Sequence, residues 1–253
     1  MSSSLDDPRF AQTLRRCNGV LDALWATSPW QAGRHVVALE AGGGSFSHFR
    51  LPGQSTLLAL DIDYGQLCRN SECHWKLQAD LHALPLCRAS VDVVVCFNVI
   101  EHLEDPDAVL VQLAQCLRDG GVLVLGCPDR HSLKGLITRL SPLGWHRAFY
   151  RFIVRKADRG DGHFDAFATP FGPVVTHSRL VNRLQSLGYK VLFSSAYDGA
   201  HEYGLTQGSW LRRCFGLPYY ALGTLGNWLT LGRWRALQSD LLYVMQKGDE
   251  SPD

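Results

Sequence analysis

An α/β fold with a doubly wound, mostly parallel sheet follows from three observations. Short apolar runs of strand length alternate with helix-forming segments from residue 36 to about residue 130. The clearest run, VDVVVCFN at 91–98, is almost continuously apolar and β-branched, as a strand covered on both faces requires. The first strand, in VVALEAGGGSF at 36–46, runs straight into three glycines, the kind of loop at which such sheets receive ligands. Right-handed crossovers leave few other topologies for this order. The expected architecture is therefore Rossmann-like, with the final strand antiparallel and helical insertions acting as lids.

Each element has its own signal. Residues 8–28 carry Phe10, Leu14, Cys17, Leu21, Leu24 and Trp25 at spacings of three and four, one face of a leading amphipathic helix. STLLALDID at 55–63 is a second strand closing on two acids, with YGQLCRN as its helix, and WKLQADLHALPL at 75–86 holds a third strand ending near Asp80. After the fourth strand, IEHLEDPDAVLVQLAQCLRDGG repeats Val109, Leu110, Leu113 and Leu117 at helical spacing. Asp105 and Pro106 start that helix, and Gly120 with Gly121 are read as its cap. GVLVLGCPD is the fifth strand. The mixed helical segment and the Gly- and Phe-rich loop that follow make 131–177 the expected lid or substrate region. A helix around SRLVNRLQSLG, a strand YKVLFSSAYDG and a last strand DLLYVMQK at 240–247 complete a single domain, 1–253.

Before the last strand, 200–237 is an apolar, aromatic insertion. CFGLPYYALGTLGNWLTLG is uncharged and bracketed by Arg212, Arg213, Arg233 and Arg235. Its length approaches a bilayer span, yet Pro218, four glycines and Asn227 interrupt it, and the chain must return at once to the sheet. Trp210, Tyr219, Tyr220, Trp228 and Trp234 suit an apolar lid, a peripheral membrane contact through 208–235, or a helical pair packed on the domain.

Composition narrows the partners. A formal net charge of +1 with 19% charged residues gives no basic field, so nucleic acid is not an expected partner. MSSSLDDPRF has no apolar signal core, and a cytoplasmic location is expected, peripheral at the membrane if the insertion touches it. Eight cysteines without C-x-x-C pairs read as buried free thiols, and Cys68, Cys73 and His74 match no zinc spacing.

Gly42, Gly44 and Ser47 nearly fit the dinucleotide pattern G-x-G-x-x-G/A, but Glu40, Gly42, Gly44 and Phe46 fit an acid-first pattern better. A carboxylate just before the glycines repels phosphate and suits a ligand bearing an amino group. Glu40, Asp61, Asp80, Asn98 to His102 and Asp129 all fall at carboxyl ends of expected strands.

With these motifs the chain resembles the class I S-adenosylmethionine-dependent methyltransferases, in particular the small-molecule group that includes ubiquinone and menaquinone biosynthesis methyltransferases. The resemblance implies S-adenosyl-L-methionine as cofactor. LEAGGGSF resembles the first motif, giving Glu40, Gly42, Gly43 and Gly44 to the methionine part, although Phe46 stands where glycine is common. LALDID resembles the second-strand end, where Asp61 would hold the ribose hydroxyls with Ile62 beside it, and Asp63 would cap a helix. QADLHALPL resembles the adenine-side motif, with Asp80 accepting from the adenine amino group and Leu81 offering its amide. In FNVIEHLEDP, Asn98 would line the cofactor, and Glu101 with His102 would lie near the transferred methyl.

The implied reaction is an in-line displacement that needs near-attack geometry and exclusion of water. For a hydroxyl acceptor, His102 and His163 are the candidate bases. Some relatives hold a metal through a Glu-His pair, and Glu101, His102, His163 and His177 could be drawn that way. Asn98 occupies the place of the earlier acid, however, and no metal is expected. The apolar insertion and Phe-rich loop point to a hydrophobic small-molecule or lipid-linked acceptor, methylated at oxygen. N- or C-methylation, a nicotinamide-dependent oxidoreductase and a catalytically silent cofactor-binding scaffold are the alternatives. The sequence sets no oligomeric state.

Overall fold

A computed structural model of the chain describes residues 8–27, 30, 33–43, 49–142, 144, 169–198, 206 and 210–248. In chain order the elements are α1 (Pro8–Trp25), β1 (Val36–Ala41), β2 (Ser55–Asp61), α2 (Tyr64–Arg69), β3 (Trp75–Gln78), β4 (Val91–Phe97), α3 (Pro106–Cys116), β5 (Leu117–Pro128), α4 (Leu133–Leu140), α5 (His177–Ser186), β6 (Tyr189–Tyr197), α6 (Trp210–Leu229) and β7 (Asp240–Lys247). Short 3-10 turns lie at Leu81–Ala83 and Ile100–His102.

The strands assemble in the order β3-β2-β1-β4-β5-β7-β6. From β3 through β5 all neighbours are parallel, and β7 runs antiparallel to both β5 and β6. The chain first builds outward from β1 to β3 and then crosses to the other side of β1 to lay down β4. The order therefore reverses between β1 and β4, where a crevice opens outside the carboxyl ends of the strands.

Successive side chains of a strand point to opposite faces, and both faces are covered, so the inner strands are largely apolar, with Glu40 and Asp92 as buried exceptions. Leu39, Cys96 and Leu125 enter one core, whereas Ala38, Val95 and Val124 enter the other. α3 and α5 close the first core through Leu110, Leu113, Leu180 and Leu184. α1 closes the second with Phe10, Leu14, Cys17 and Leu21, the face its spacing predicts. Cys17, Cys96, Cys116 and Cys127 are buried, Cys68, Cys87 and Cys214 are exposed, and all eight thiols are free. Burial pushes the Cys96 and Cys127 thiols up, which keeps them protonated and inert. His74 accepts the amide of Leu57 at 3.0 Å, a structural bond at the sheet edge.

One boundary differs from the sequence reading. α3 stops at Cys116, and Leu117 already pairs with Val91 in β5. The register then shifts, and Gly120, at φ 71°, sits in a bulge of the strand and caps no helix. A strand residue that continues a helical spacing is indistinguishable by period from a helix residue. Asp105 does cap α3, accepting from Ala108 N at 3.0 Å, and Gly188, at φ 85°, ends α5.

At the amino end of β4 lies Asp92, almost fully buried. Its carboxylate accepts from Val37 N at 2.9 Å and from Arg118 at 2.7 Å, and it also pairs with the Arg34 guanidinium.

Of the expected lid, 131–177, the described parts are α4, the residues flanking it and 169–177; residues 145–168 lie outside the described residues. Of the insertion, α6 and the segment leading to β7 are described. Tyr220 of α6 donates to Asp198 at 2.7 Å, and Gly223 and Gly226 pack against Leu237 and Trp234 so closely that a Cβ on either would lie 2.3 Å from those side chains. Leu133 N bonds to Ala236 O at 2.8 Å and Trp234 Nε1 to His131 O at 2.7 Å, which ties the insertion to the start of α4. Among the described residues no helix is long and apolar enough to cross a membrane.

Candidate functional site

Register brings the predicted residues to one edge. Asp61 is the last residue of β2, Glu40 the penultimate residue of β1, and Asn98 follows β4 directly. Strands stand about 4.8 Å apart, so these three positions span about 10 Å across three adjacent strands, the length scale of a nucleoside.

Glu40 is buried, at 7% exposure. Among the described residues its hydrogen-bond partner is the Asn70 amide, Nδ2 to Oε2 at 3.2 Å, and no cation pairs with it. Desolvation is the main cause that lifts its pKa to about 7; the Asn70 bond opposes this and Glu72 adds to it. Asn70 is the residue that sequence reasoning missed. Fully buried after α2, it also donates to Gly43 O at 2.7 Å and accepts from the amides of Glu72 and Cys73. A lone asparagine closing a short helix was the only available signal.

The amides of Gly42 and Gly43 both donate to Leu60 O, at 2.7 and 3.0 Å, and so extend the pairing of β1 with β2. Packing demands both residues. Gly42 has φ 73° and a Cβ there would lie 2.3 Å from Val99, while one on Gly43 would meet Glu40 O at 2.9 Å. Gly44 lies outside the described residues, as does His163.

At the end of β2, Asp61 accepts from Asp63 N at 2.8 Å, and Asp63 caps α2 through the amides of Gly65 and Gln66. Ile62, 68% exposed, offers an apolar surface beside Asp61. Asp80 accepts from His82 N at 2.9 Å and meets His82 Nδ1 at 2.8 Å, bonds that hold its carboxyl below the usual range. Leu81 behind it is buried.

The end of β4 is strained and crowded. Asn98 adopts φ 57°, uncommon outside glycine, and its amide bonds to Gly126 O at 2.9 Å. Phe97 lies over Gly126, where a Cβ would come within 2.2 Å of its ring. Glu101 is buried, its Oε2 has no hydrogen-bond partner, and burial raises its pKa to about 8, so it is largely a neutral acid at neutral pH. His102 lies beside it, Nε2 3.7 Å from Glu101 Oε1 and Nδ1 3.4 Å from Thr169 Oγ1. His177 is elsewhere, bonded at 2.7 Å to the Tyr243 hydroxyl. Among the described residues no group of three or more His, Cys, Asp or Glu side chains could hold a metal ion.

Phe97 also touches Phe49 and Phe10, with ring centroids 5.5 and 6.1 Å away, and Phe10 reaches Tyr197 at the end of β6. Beyond this aromatic wall a cavity of 540 Å³ opens between α1, β6 and α6, lined by Arg9, Arg16, Asp198, Tyr220 and Gln238 among others. Its lining is largely polar because the large apolar side chains of α6 point elsewhere, a feature that residue spacing in the insertion does not disclose.

Residues 39–125 match the family model described as a methyltransferase domain. A protein of Mycobacterium tuberculosis named "Probable S-adenosylmethionine-dependent methyltransferase" is 50% identical over 54 residues, 21% of this chain and 20% of that one. A ubiquinone biosynthesis O-methyltransferase of Xanthomonas oryzae pv. oryzae is 28% identical over 149 residues, 55% of this chain and 58% of the relative. The alignments thus span from one fifth to under three fifths of these relatives' own lengths. The fold is that of a SAM-dependent methyltransferase from Archaeoglobus fulgidus, with a TM-score of 0.52, 17% identity and coverage of 94% of this chain and 98% of that one.

Proposed function

We propose that this chain, a class I S-adenosylmethionine-dependent methyltransferase, transfers a methyl group to an oxygen of a hydrophobic small-molecule or lipid-linked acceptor. The observation that carries the cofactor assignment is the buried Glu40 carboxylate, without a cationic partner among the described residues, one strand from Asp61. A buried carboxylate held by a single amide lacks the charge that would balance it when ionised, and the ammonium of a methionine moiety supplies that charge.

The residues fit a sulfonium nucleoside. Glu40 receives the amino group, Asp61 accepts from both ribose hydroxyls, and Ile62 covers one face of the base. Asp80 and the amide of Leu81 lie on the adenine side; Asp80 Oδ1 already holds His82, so its second oxygen is the acceptor for the exocyclic amine. Asn98, fixed in a left-handed conformation, lines the crevice between sugar and methionine ends. Bound there, S-adenosylmethionine supplies an electrophilic methyl carbon. The chain's own part is to orient the acceptor in line and exclude water. His102 takes the proton from the acceptor hydroxyl. The largely neutral Glu101 beside it adds no negative charge at neutral pH.

Support for an oxygen acceptor is the likeness to an O-methyltransferase. The experiment is calorimetric titration with S-adenosylhomocysteine, followed by mass spectrometry of a lipid extract incubated with protein and methyl-labelled cofactor. Asp61→Ala should weaken binding by roughly 100-fold, as expected when a charged acceptor of two hydroxyls is lost. Undiminished affinity would remove the ribose assignment, and a labelled product carrying its new methyl on nitrogen or carbon would remove the oxygen assignment.

A further inference from the structure

A helix packed on a soluble domain normally buries its large apolar side chains and shows polar ones to water. α6 does the reverse. The third of its circumference that faces the domain carries Gly216, Tyr219, Tyr220, Gly223 and Gly226, all buried or half-buried. The outward two thirds carries Trp210, Phe215, Leu217, Leu225, Trp228 and Leu229, every one exposed, Trp228 at 71%. Leu231, just past the helix, is 87% exposed, and on α4, tied to this region through Leu133 and Ala236, Leu140 is 77% exposed. Single exposed leucines need no explanation, but a whole helix face of this kind marks an interaction surface.

Charge selects the partner. From Tyr203 to Ser239 the chain has no Asp or Glu but carries Arg212, Arg213, Arg233 and Arg235, in a protein whose formal net charge is only +1. Arg213, Arg233 and Arg235 are exposed at the two ends of the apolar face. Tryptophans and leucines flanked by arginines, with no acid among them, complement a surface that is apolar inside and anionic at its rim. No helix among the described residues can cross a bilayer. We infer that α6 lies flat in the interface of an anionic membrane, its outward face sunk to the depth of the headgroup and acyl boundary and its arginines reaching the phosphates. This docking goes beyond the methyl-transfer reading and does not depend on it. α4 follows β5 at the carboxyl rim, so the docked face adjoins the side of the sheet on which the cofactor crevice opens.

The test uses the whole chain with vesicles of phosphatidylcholine alone or mixed with phosphatidylglycerol, read by co-sedimentation and by labelling with a water-soluble maleimide. Cys214 lies on the outward side of α6, whereas Cys68 and Cys87 are exposed elsewhere, so each molecule carries its own control. Expected are sedimentation with the anionic vesicles, release by salt, and protection of Cys214 but not of Cys68 or Cys87. Arg233→Ser with Arg235→Ser should lower anionic-vesicle partitioning by roughly tenfold, and Leu225→Glu with Trp228→Glu should abolish it, while S-adenosylhomocysteine binding stays unchanged in both. Equal labelling of Cys214 with and without vesicles overturns the proposal. So does protection of Cys214 before any lipid is added, which would mean that a second copy or another segment of this chain covers the face.

Discussion

The buried carboxylates Asp92, Glu40 and Glu101 are treated in opposite ways at the two rims of the sheet, although Asp240, also at the carboxyl edge, is matched by Lys134. At the amino rim, Asp92 is surrounded by two guanidiniums and a backbone amide. At the carboxyl rim, among the described residues, Glu40 has one amide donor and Glu101 has an oxygen with no hydrogen-bond partner. Burying a charge is costly unless it is matched, so a fold shaped only by stability would resemble the amino rim everywhere. Mismatch confined to the rim where the strand order reverses is the mark of a site whose balance is completed by a ligand.

The strongest way to break this comparison is Asp92→Ala. It leaves two half-exposed guanidiniums and a buried amide of Val37 without an acceptor, and should cost about 3 kcal/mol of unfolding free energy in urea titration. Affinity of the folded protein for S-adenosylhomocysteine should not change. If that affinity falls as far as stability does, the rims are not functionally separate.

Glu40→Gln tests the other rim. With a pKa of about 7, Glu40 is mostly protonated in mild acid, so cofactor affinity should rise as pH increases through 7 and Glu40 gains the charge that attracts an ammonium. The substitution should lower affinity by about tenfold at pH 8, near 1.4 kcal/mol, and flatten that limb of the pH profile. Without cofactor the variant should be the more stable protein at pH 8, because the parent loses stability as pH rises from about 4.5 toward 7 while the neutral amide does not.

Glu101→Gln should act on stability alone, by an amount that grows as pH rises. The folded pKa of about 8 lies above the ordinary value of 4.5, so the folded state binds more protons than the unfolded state between these values. Stability from this group is therefore present at low pH and is lost as pH rises from about 4.5 toward 8. The variant should melt like the parent near pH 5 and about 5 °C higher near pH 8.5 by thermal denaturation. A parallel dependence in both proteins would mean that Glu101 is not the neutral acid its burial implies.

Sequence and fold agree most where one pattern controls one element. The β-branched run of β4, the spacing of α1 and the Asp-Pro start of α3 each state a local requirement that the packed structure keeps. The carboxyl-edge residues Glu40, Asp61, Ile62, Asp80, Leu81 and Asn98 were legible because the α/β alternation puts every strand end on one rim. What could not be read depends on contacts between distant segments. Asn70 reaches Glu40 across 30 positions, and the cavity beside β6 forms from α1, α6 and β6 together. The bulge that begins β5 stayed hidden because apolar spacing does not register where a helix hands over to a strand. The insertion shows the same limit: its composition discloses an apolar helix, but only packing reveals which face the glycines turn inward.

Gly126 sets how closely the Phe97 ring can lie on the sheet. Because this strand residue has no side chain, the Phe97 ring lies flat on β5 and leaves Phe10 and Phe49 in touch above it. A single methyl at that point would lift the ring into its neighbours. The fit of a whole aromatic cluster is thus governed from beneath the floor, by one hydrogen that never meets it.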